Sequence, residues 1–207
     1  VKGVYVPFWL YDGAASGSVQ FHATTVHKYT SGDYEITETS HYDVRRAGSI
    51  GFEKIPVDAS SKMPDDYMDS IEPYDYTDLK PFSTAYLPGF LADKYDVSVE
   101  DSRERADTRC AGSLLSALER TVSGYTTCNE TSRDIHLKRG KVHYALLPVW
   151  VLNTRWEGKD FLFTMNGQTG KLVGNLPVST KRAIGLFAAI AAPLIAISVT
   201  ALLLLAR

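Results

Sequence analysis

Cysteine is nearly absent from the chain, and this excludes two common structural frameworks. The 207 residues contain two cysteines, Cys110 and Cys128, which are too few for a disulfide-bonded scaffold and form no C-x-x-C half of a zinc site. Cys110 falls on a predicted helix, and Cys128 falls in a predicted polar loop. We expect a reduced, cytosolic pair of thiols, with a disulfide between them as the alternative.

The sequence also lacks the short motifs that mark common catalytic sites. A phosphate-binding loop needs a glycine five positions before its Gly-Lys pair, and none of the pairs at 140–141, 158–159 and 170–171 has one. The chain has no G-x-S-x-G elbow and no H-E-x-x-H zinc helix. These absences predict a protein that is not an enzyme, binds no nucleotide and holds no cofactor in this chain. A hydrolase with an unrecognised polar site stays open as an alternative.

Neither sign of charge is in large excess. The 22 Lys and Arg residues face 24 Asp and Glu residues, so the formal net charge is −2 and no global basic field attracts nucleic acid. The five histidines lack metal-ligand spacing, and although adjacent strands could bring His22 and His41 together, a zinc site there would need further ligands. We therefore expect solvated strand histidines, and a solvated connector for the acidic residues of 58–78.

The longest uninterrupted feature that is present is an uncharged apolar run, residues 183–206. As a helix, these 24 residues would rise about 36 Å, more than the roughly 30 Å hydrocarbon core of a bilayer. The run therefore predicts a transmembrane helix, with a buried core helix as the alternative. Lys181 and Arg182 precede the run and Arg207 follows it, and the positive-inside rule then places residues 1–182 in the cytosol of a protein of the cell membrane.

Residues 1–180 are predicted to form one α+β domain. Alternating apolar residues and an aromatic load of twelve Tyr, eight Phe and three Trp favour β structure. Turn signals at 13–18, 31–33 and 47–48 divide residues 4–57 into a four-stranded antiparallel meander. A second meander covers 135–178, with turns at 139–140, 157–158 and 166–167.

Between the two meanders, the pattern predicts short helices and one main helix. Pro64 followed by acidic residues predicts a short helix that ends near Ile71, and Ser98 with Asp101 resembles a capping box before a main helix over 99–122. The rest of 58–98 is expected to be an ordered connector packed on the sheet. Its large apolar residues are predicted to be buried: Tyr67, Met68, Ile71, Tyr74, Tyr76, Phe82, Tyr86, Leu87, Phe90 and Leu91.

Two segments of the chain echo one another. Residues 6–25 and 147–166 align without a gap at an offset of 141, which matches Pro7 with Pro148 and Trp9 with Trp150. The alignment predicts an internal repeat in which Trp9 and Trp150 are buried anchors of equivalent hairpins. Convergent packing of two unrelated hairpins is the alternative.

Several longer segments have distinctive sequences. They are Gly3-Val-Tyr-Val-Pro-Phe-Trp-Leu-Tyr11, Ser31-Gly-Asp-Tyr with Glu38-Thr-Ser-His-Tyr42, Lys54-Ile-Pro-Val-Asp-Ala-Ser-Ser-Lys-Met-Pro-Asp-Asp66, Met68-Asp-Ser-Ile-Glu-Pro73, Pro88-Gly-Phe-Leu-Ala-Asp-Lys-Tyr-Asp96 and Met165-Asn-Gly-Gln-Thr-Gly-Lys171. These segments resemble a bacterial family of membrane-anchored proteins with an N-terminal zinc ribbon of the transcription factor IIB type, often labelled as relatives of a primosomal replication helicase. The resemblance implies a zinc ribbon before Val1, which would hold the only metal, and a cytosolic domain before the membrane helix. It also implies, for some members, a place in membrane-stress assemblies.

The predicted function follows from the predicted membrane helix and from the missing catalytic motifs. We expect a non-catalytic adaptor or scaffold that binds partner proteins at the cytosolic face of a membrane. A nucleic-acid or replication role, carried by the zinc ribbon that the resemblance implies, is the alternative.

Overall fold

Three very long strands form most of the sheet in the computed structural model, which describes residues 1–175 and 179–205. The strands are β1 (Lys2–Ser31), β2 (Tyr34–Asp58), β3 (Leu91–Ala92), β4 (Thr127–Trp156), β5 (Lys159–Asn166) and β6 (Leu172–Gly174). The helices are α1 (Asp65–Ser70), α2 (Val99–Glu119) and α3 (Thr180–Leu205), with single 3-10 turns at Tyr76–Asp78 and Thr84–Tyr86. The strand order is β2-β1-β4-β5-β6, and β3 pairs in parallel with β1.

The chain forms two compact units. The larger unit contains Val1–Val151 and Thr164–Val173, and the smaller unit contains Leu152–Phe163 and Gly174–Arg207. The larger unit holds the three hydrophobic clusters described below and all the residues of the candidate sites.

A single long hairpin replaces the predicted four-stranded meander. Strands β1 and β2 are joined by Gly32-Asp33, where the positive φ of Gly32 (61°) suits a tight turn. The predicted turns at 13–18 and 47–48 lie inside the two strands, where Gly17 faces Gly48. Gly17 does not form a turn but lets the backbones of β1 and β4 approach closely, because a Cβ on it would clash with the Asp134 carbonyl group of β4.

The two predicted meanders are parts of one antiparallel sheet, so the predicted arrangement of two meanders flanking a helix is wrong. Strand β4 pairs with β1 from Lys2 to Thr24, and the predicted turn at 139–140 lies inside β4. Gly140 again serves a close contact, since a Cβ on it would lie 2.8 Å from the Asp12 carbonyl oxygen. The other predicted turns of this region are confirmed: residues 157–158 connect β4 to β5, and a turn that begins at Gly167 connects β5 to β6.

The two sides of the sheet are covered by different elements. Val6, Phe8 and Leu10 of β1 pack against Met68 and Ile71, from α1 and the residue that caps it. Farther along the same strand, odd-numbered residues on the other side of the sheet are the buried ones. Ala15, Val19, Phe21 and Ala23 pack there with Leu114 and Leu118 of α2. A bulge between Tyr11 and Gly13 separates the two stretches. The even-numbered side of β1 beyond this bulge is therefore the side opposite α2.

The helix starts follow the sequence signals closely. Helix α1 begins directly after Pro64 and carries two acidic residues in its first turn, as predicted. The predicted cap of α2 at Ser98 is confirmed: the Ser98 hydroxyl accepts a hydrogen bond from the Asp101 amide at 3.1 Å and donates to the Asp101 carboxylate at 2.7 Å. Helix α2 ends at Glu119, three residues before the predicted end.

The C-terminal helix forms but does not meet the requirements of a membrane span. Over the residues that the structure describes, no helix is both long and apolar enough to cross a bilayer. The predicted transmembrane helix over 183–206 is therefore wrong, and the predicted cell-membrane location and cytosolic side of residues 1–182 lose their basis. Lys181 and Arg182 open α3, and Arg207 lies outside the described residues.

Candidate functional site

The four residues predicted as structural anchors lie on neighbouring strands. Pro7 and Trp9 are on β1, Pro148 and Trp150 are on β4, and both tryptophans are half-buried. The antiparallel register places Trp9 opposite Tyr144 and Trp150 opposite Gly3. The two segments of the predicted repeat differ in structure, since 6–25 is one continuous part of β1 whereas 147–166 contains the turn between β4 and β5.

Each tryptophan belongs to a cluster of three aromatic rings. The ring centroids of Trp9, Tyr95 and Tyr144 lie 5.1–5.8 Å from one another. The Phe90 ring lies 5.2 Å from that of Trp150 and 5.0 Å from that of Tyr5. These separations are typical of packed aromatic pairs, so the two clusters hold the chain around Phe90 and Tyr95 against the sheet.

The segment held in this way exposes large apolar side chains. In residues 79–95, here called the apolar segment, the exposed fractions are 39% for Leu79, 64% for Phe82, 50% for Tyr86, 57% for Leu91 and 43% for Tyr95. The sequence analysis predicted burial for Phe82, Tyr86 and Leu91, and that prediction is wrong. The neighbouring Met68, Ile71 and Tyr74 are buried as predicted. A run of large exposed apolar residues in one short segment is typical of an interaction surface.

The apolar segment has a defined backbone. Asp75 accepts a hydrogen bond from the Thr77 amide at 2.9 Å and begins one 3-10 turn, and the Ser83 hydroxyl accepts from the Ala85 amide at 3.3 Å and begins the next. Pro88 and Gly89 form a tight turn closed by the Phe90 amide, which donates to the Leu87 carbonyl at 2.9 Å. Gly89 has a φ of 87°, which this kind of turn requires at its second central position.

A polar loop fixes the end of the apolar segment. The ammonium group of Lys62 lies 2.6 Å from the Asp93 carboxylate, and the Ser61 hydroxyl donates to Asp96 at 2.7 Å. The hydrogen bond from Lys62 lowers the pKa of Asp93, and the hydrogen bond from the Ser61 side chain lowers the pKa of Asp96. The Asp93 amide also donates to the Tyr5 carbonyl of β1 at 3.0 Å, next to the pairing of β3 with β1.

The start of the connector is fixed by ion pairs to α2. Arg105 lies 2.5 Å from Asp58, whose side chain is only 1% exposed, and also pairs with Asp69 at 2.5 Å. Arg109 binds both carboxylate oxygens of Glu72, at 2.9 and 2.6 Å, and donates to the Pro56 carbonyl at 2.6 Å. The predicted solvated connector is wrong for these acidic residues, which instead join α1 and the end of β2 to α2. Burial raises the pKa of Asp58 in spite of its arginine partner.

Two of the histidines lie side by side, and a third lies apart from them. His22 Nε2 lies 3.1 Å from His41 Nδ1, which confirms that adjacent strands bring these two residues together. His143 lies elsewhere, where its Nε2 is 3.2 Å from an Asp12 carboxylate oxygen at the bulge. Among the residues that the structure describes, no group of three or more His, Cys, Asp or Glu side chains is arranged to hold a metal.

The cysteines are separate from both tryptophan clusters. Both thiols are free, as expected. Cys110 lies on α2 beside a small cavity of about 80 Å³, and burial raises its pKa. Cys128 is exposed on β4 and does not lie in the predicted polar loop.

Comparison with known proteins identifies a relative whose function is uncharacterised. The chain is 42% identical over 191 residues to the uncharacterised protein YdjG of Bacillus subtilis (strain 168). The alignment covers 92% of this chain and 56% of YdjG, so the chain spans little more than half the length of that relative. No protein-family model matches the chain, and no solved structure matches it. The membrane helix that the zinc-ribbon resemblance implies is not found in the described residues, and no comparison shows a link to zinc-ribbon proteins.

Proposed function

We propose that this chain is a non-catalytic adaptor whose apolar segment inserts into an apolar groove on a partner protein. The observation that carries this proposal is the exposure of Phe82, Tyr86 and Leu91 on a segment that is held to the sheet by its neighbours. Large exposed aromatic and aliphatic residues supply most of the binding energy in protein interfaces. We place the partner in the class of proteins with a groove because the segment is short and interrupted by two prolines, Pro81 and Pro88.

The anchoring of the segment supports a binding role. An ordered ligand loop loses less conformational entropy on binding than a free peptide does, so more of the contact energy appears as affinity. Here the prolines and the Gly89 turn restrict the backbone, while Phe90 and Tyr95 tie it to Trp150 and Trp9. The exposed side chains are thereby presented in a fixed order to a partner.

The expected contribution of each exposed residue follows from its apolar area. Full burial of a large apolar side chain contributes about 1.5–3 kcal/mol. Phe82 is 64% exposed and Tyr86 is 50% exposed. Burial of the exposed part of each side chain would therefore contribute about 1–2 kcal/mol to the binding free energy. Truncation of either residue should therefore weaken partner binding about tenfold.

Photo-crosslinking in a cell tests this proposal. A benzoyl-phenylalanine is placed at Phe82 or Tyr86 of the chain expressed in Bacillus subtilis, the organism of the relative. Tyr34 is the matched control position, because it is 77% exposed but lies at the turn of the β1–β2 hairpin. We expect one discrete heterologous protein to crosslink at 82 and 86 and not at 34.

Purified components then decide whether the contact is specific. The crosslinked protein should bind the 207-residue chain at saturable one-to-one stoichiometry in calorimetry. Phe82→Ala and Tyr86→Ala should each weaken that binding about tenfold, whereas Tyr34→Ala should leave it unchanged. Crosslinking only to a second copy of the chain, or equal loss of affinity in all three variants, would overturn the proposal.

A further inference from the structure

His22 and His41 form a pair on the side of the sheet that faces away from α2. His22 lies between Phe21 and Ala23, which both pack in the cluster that contains Leu114 of α2, so its side chain points to the opposite side. His41 lies on β2 two register positions away and therefore on the same side, since the register joins His22 to Asp43 and Thr24 to His41. Both imidazoles are accessible to solvent.

The geometry of the two rings matches that of two ligands on one metal ion. His22 Nε2 and His41 Nδ1 are 3.1 Å apart, and the ring planes are 27° from parallel. An ion placed at the usual zinc–nitrogen distance of about 2.0–2.1 Å from both atoms would have an N–metal–N angle of about 100°. That angle lies between the values of octahedral and tetrahedral coordination, so the separation of the two nitrogens fits one ion bound to both, in place of the hydrogen bond between the rings.

Asp43 lies beside the second nitrogen of the His22 ring. Its Oδ1 lies 3.4 Å from His22 Nδ1, on the edge of the ring opposite His41. A proton held on Nδ1 by this carboxylate leaves the Nε2 lone pair free to bind a metal, which is the arrangement of carboxylate–histidine–metal sites. Asp43 is therefore a positioning residue and not a ligand.

We propose that His22 and His41 bind one divalent transition-metal ion of the group nickel, copper and zinc. Imidazole nitrogen is a preferred ligand of these ions. The protein supplies two ligands to the proposed ion. The remaining positions on the ion face solvent and are filled by water. The ion joins β1 to β2, and it should stabilise the hairpin by mass action.

Calorimetry with Ni²⁺ and with Zn²⁺ on the untagged 207-residue chain tests the site. We expect one ion per chain in the wild type, and at least tenfold weaker binding in His22→Ala and in His41→Ala. The matched control is His136→Ala, because His136 is also exposed and lies 3.3 Å from a carboxylate of Asp134 but has no second histidine beside it. This control should bind both ions as the wild type does.

Spectroscopy and melting separate ligation from a structural role. The paramagnetic resonance spectrum of the one-to-one Cu²⁺ complex should show two coordinated nitrogens in the wild type and fewer in either alanine variant. Metal should raise the Tm of the wild type and of the His136→Ala chain but not that of His22→Ala. Asp43→Asn should weaken binding severalfold while two nitrogens remain bound. Equal affinity in the wild type and the His22→Ala and His41→Ala chains, or a loss as large in His136→Ala, would overturn the proposal.

Discussion

Replacement of Arg105 by Met should destabilise the larger unit by removing the partner of a buried carboxylate. Arg105 lies 2.5 Å from Asp58, whose side chain is 1% exposed, and Met keeps most of the aliphatic volume of the arginine. After the substitution, Asp58 must either remain charged without a partner or take up a proton. Either outcome costs free energy of folding.

The size of the effect can be estimated in two ways that agree. Two unit charges 4 Å apart interact by about 4 kcal/mol at an effective dielectric constant of about 20. Measured losses on breaking buried ion pairs are about 3–5 kcal/mol. We therefore expect Arg105→Met to lower the free energy of unfolding by about 3–5 kcal/mol at pH 8, which for a domain of this size lowers the Tm by about 8–15 °C.

The dependence on pH identifies the carboxylate as the cause. Burial already raises the pKa of Asp58 in the wild type, and removal of Arg105 should raise it further. A carboxyl with a raised pKa in the folded state contributes stability that is present below its unfolded pKa of about 3.9 and is lost as pH rises through the folded pKa. The deficit of Arg105→Met should therefore be smaller at pH 5 than at pH 8.

Urea denaturation of the 207-residue chain at the two pH values measures these differences. Arg103→Met is the matched control, since Arg103 lies on the same helix and reaches only the exposed Glu100, at 3.7 Å; we expect a cost below about 1 kcal/mol. The double variant Arg105→Met/Asp58→Leu should recover most of the loss, because the buried charge at position 58 is removed with its partner. A deficit in Arg105→Met no larger than that of Arg103→Met, or one that is the same at both pH values, would refute the reasoning.

Two further substitutions test the close strand contact and the polar loop that holds the apolar segment. Gly17→Ala should destabilise the chain by at least about 1–3 kcal/mol in urea denaturation, because the new Cβ would clash with the Asp134 carbonyl group, whereas Gly51→Ala, which meets open space, should be nearly neutral. Lys62→Met should make stability less dependent on pH below about pH 4. The lowered pKa of Asp93 contributes stability that is present above its unfolded pKa of about 3.9 and is lost as pH falls through the folded pKa. The hydrogen bond from Lys62 is the largest cause of that lowered pKa. An unchanged acid limb of the unfolding curve in the Lys62→Met chain would contradict this assignment.

Local signals in the sequence located the features that depend on a few adjacent residues. The Ser98–Asp101 cap, the helix after Pro64 and the turn that begins at Gly167 all formed where they were predicted. Each depends on the backbone preferences of three or four residues and needs no information about distant parts of the chain. This is why these elements could be read directly from the sequence.

Two turns were predicted wrongly because glycine occurs both in tight turns and where two backbones approach closely. Gly17 and Gly140 were assigned to turns, but each lies in a long strand where a neighbouring backbone leaves no room for a Cβ. Gly32, which does form a turn, has the positive φ that the others lack. Only the strand pairing reveals which purpose applies, and that pairing depends on residues more than a hundred positions away.

Burial of the apolar segment was predicted from its composition alone. Phe82 and Tyr86 carry large aromatic rings, as the buried Phe8 does, but they are 64% and 50% exposed. A composition rule cannot separate core residues from an interaction surface, because both are rich in large apolar side chains. The two prolines that flank Phe82 and Tyr86 were the one local sign that this stretch differs from the core.

The His22–His41 pair was predictable because a two-residue turn fixes the register of a whole hairpin. From Ser31 and Tyr34 back to Gly13 and Phe52, the numbers of paired residues add up to 65, so His22 must face Asp43, and Thr24 must face His41. The same register puts the pair on the side of the sheet opposite α2. The apolar segment lies on the side of α2: its Tyr95 packs on Trp9, and Trp9 contacts the cluster of Tyr11 and Ala106. The two proposed sites therefore share the sheet but not a surface. It follows that His22→Ala should abolish the metal response and leave partner crosslinking at Phe82 unchanged, and loss of both in this one variant would show that the two surfaces are coupled through the hairpin.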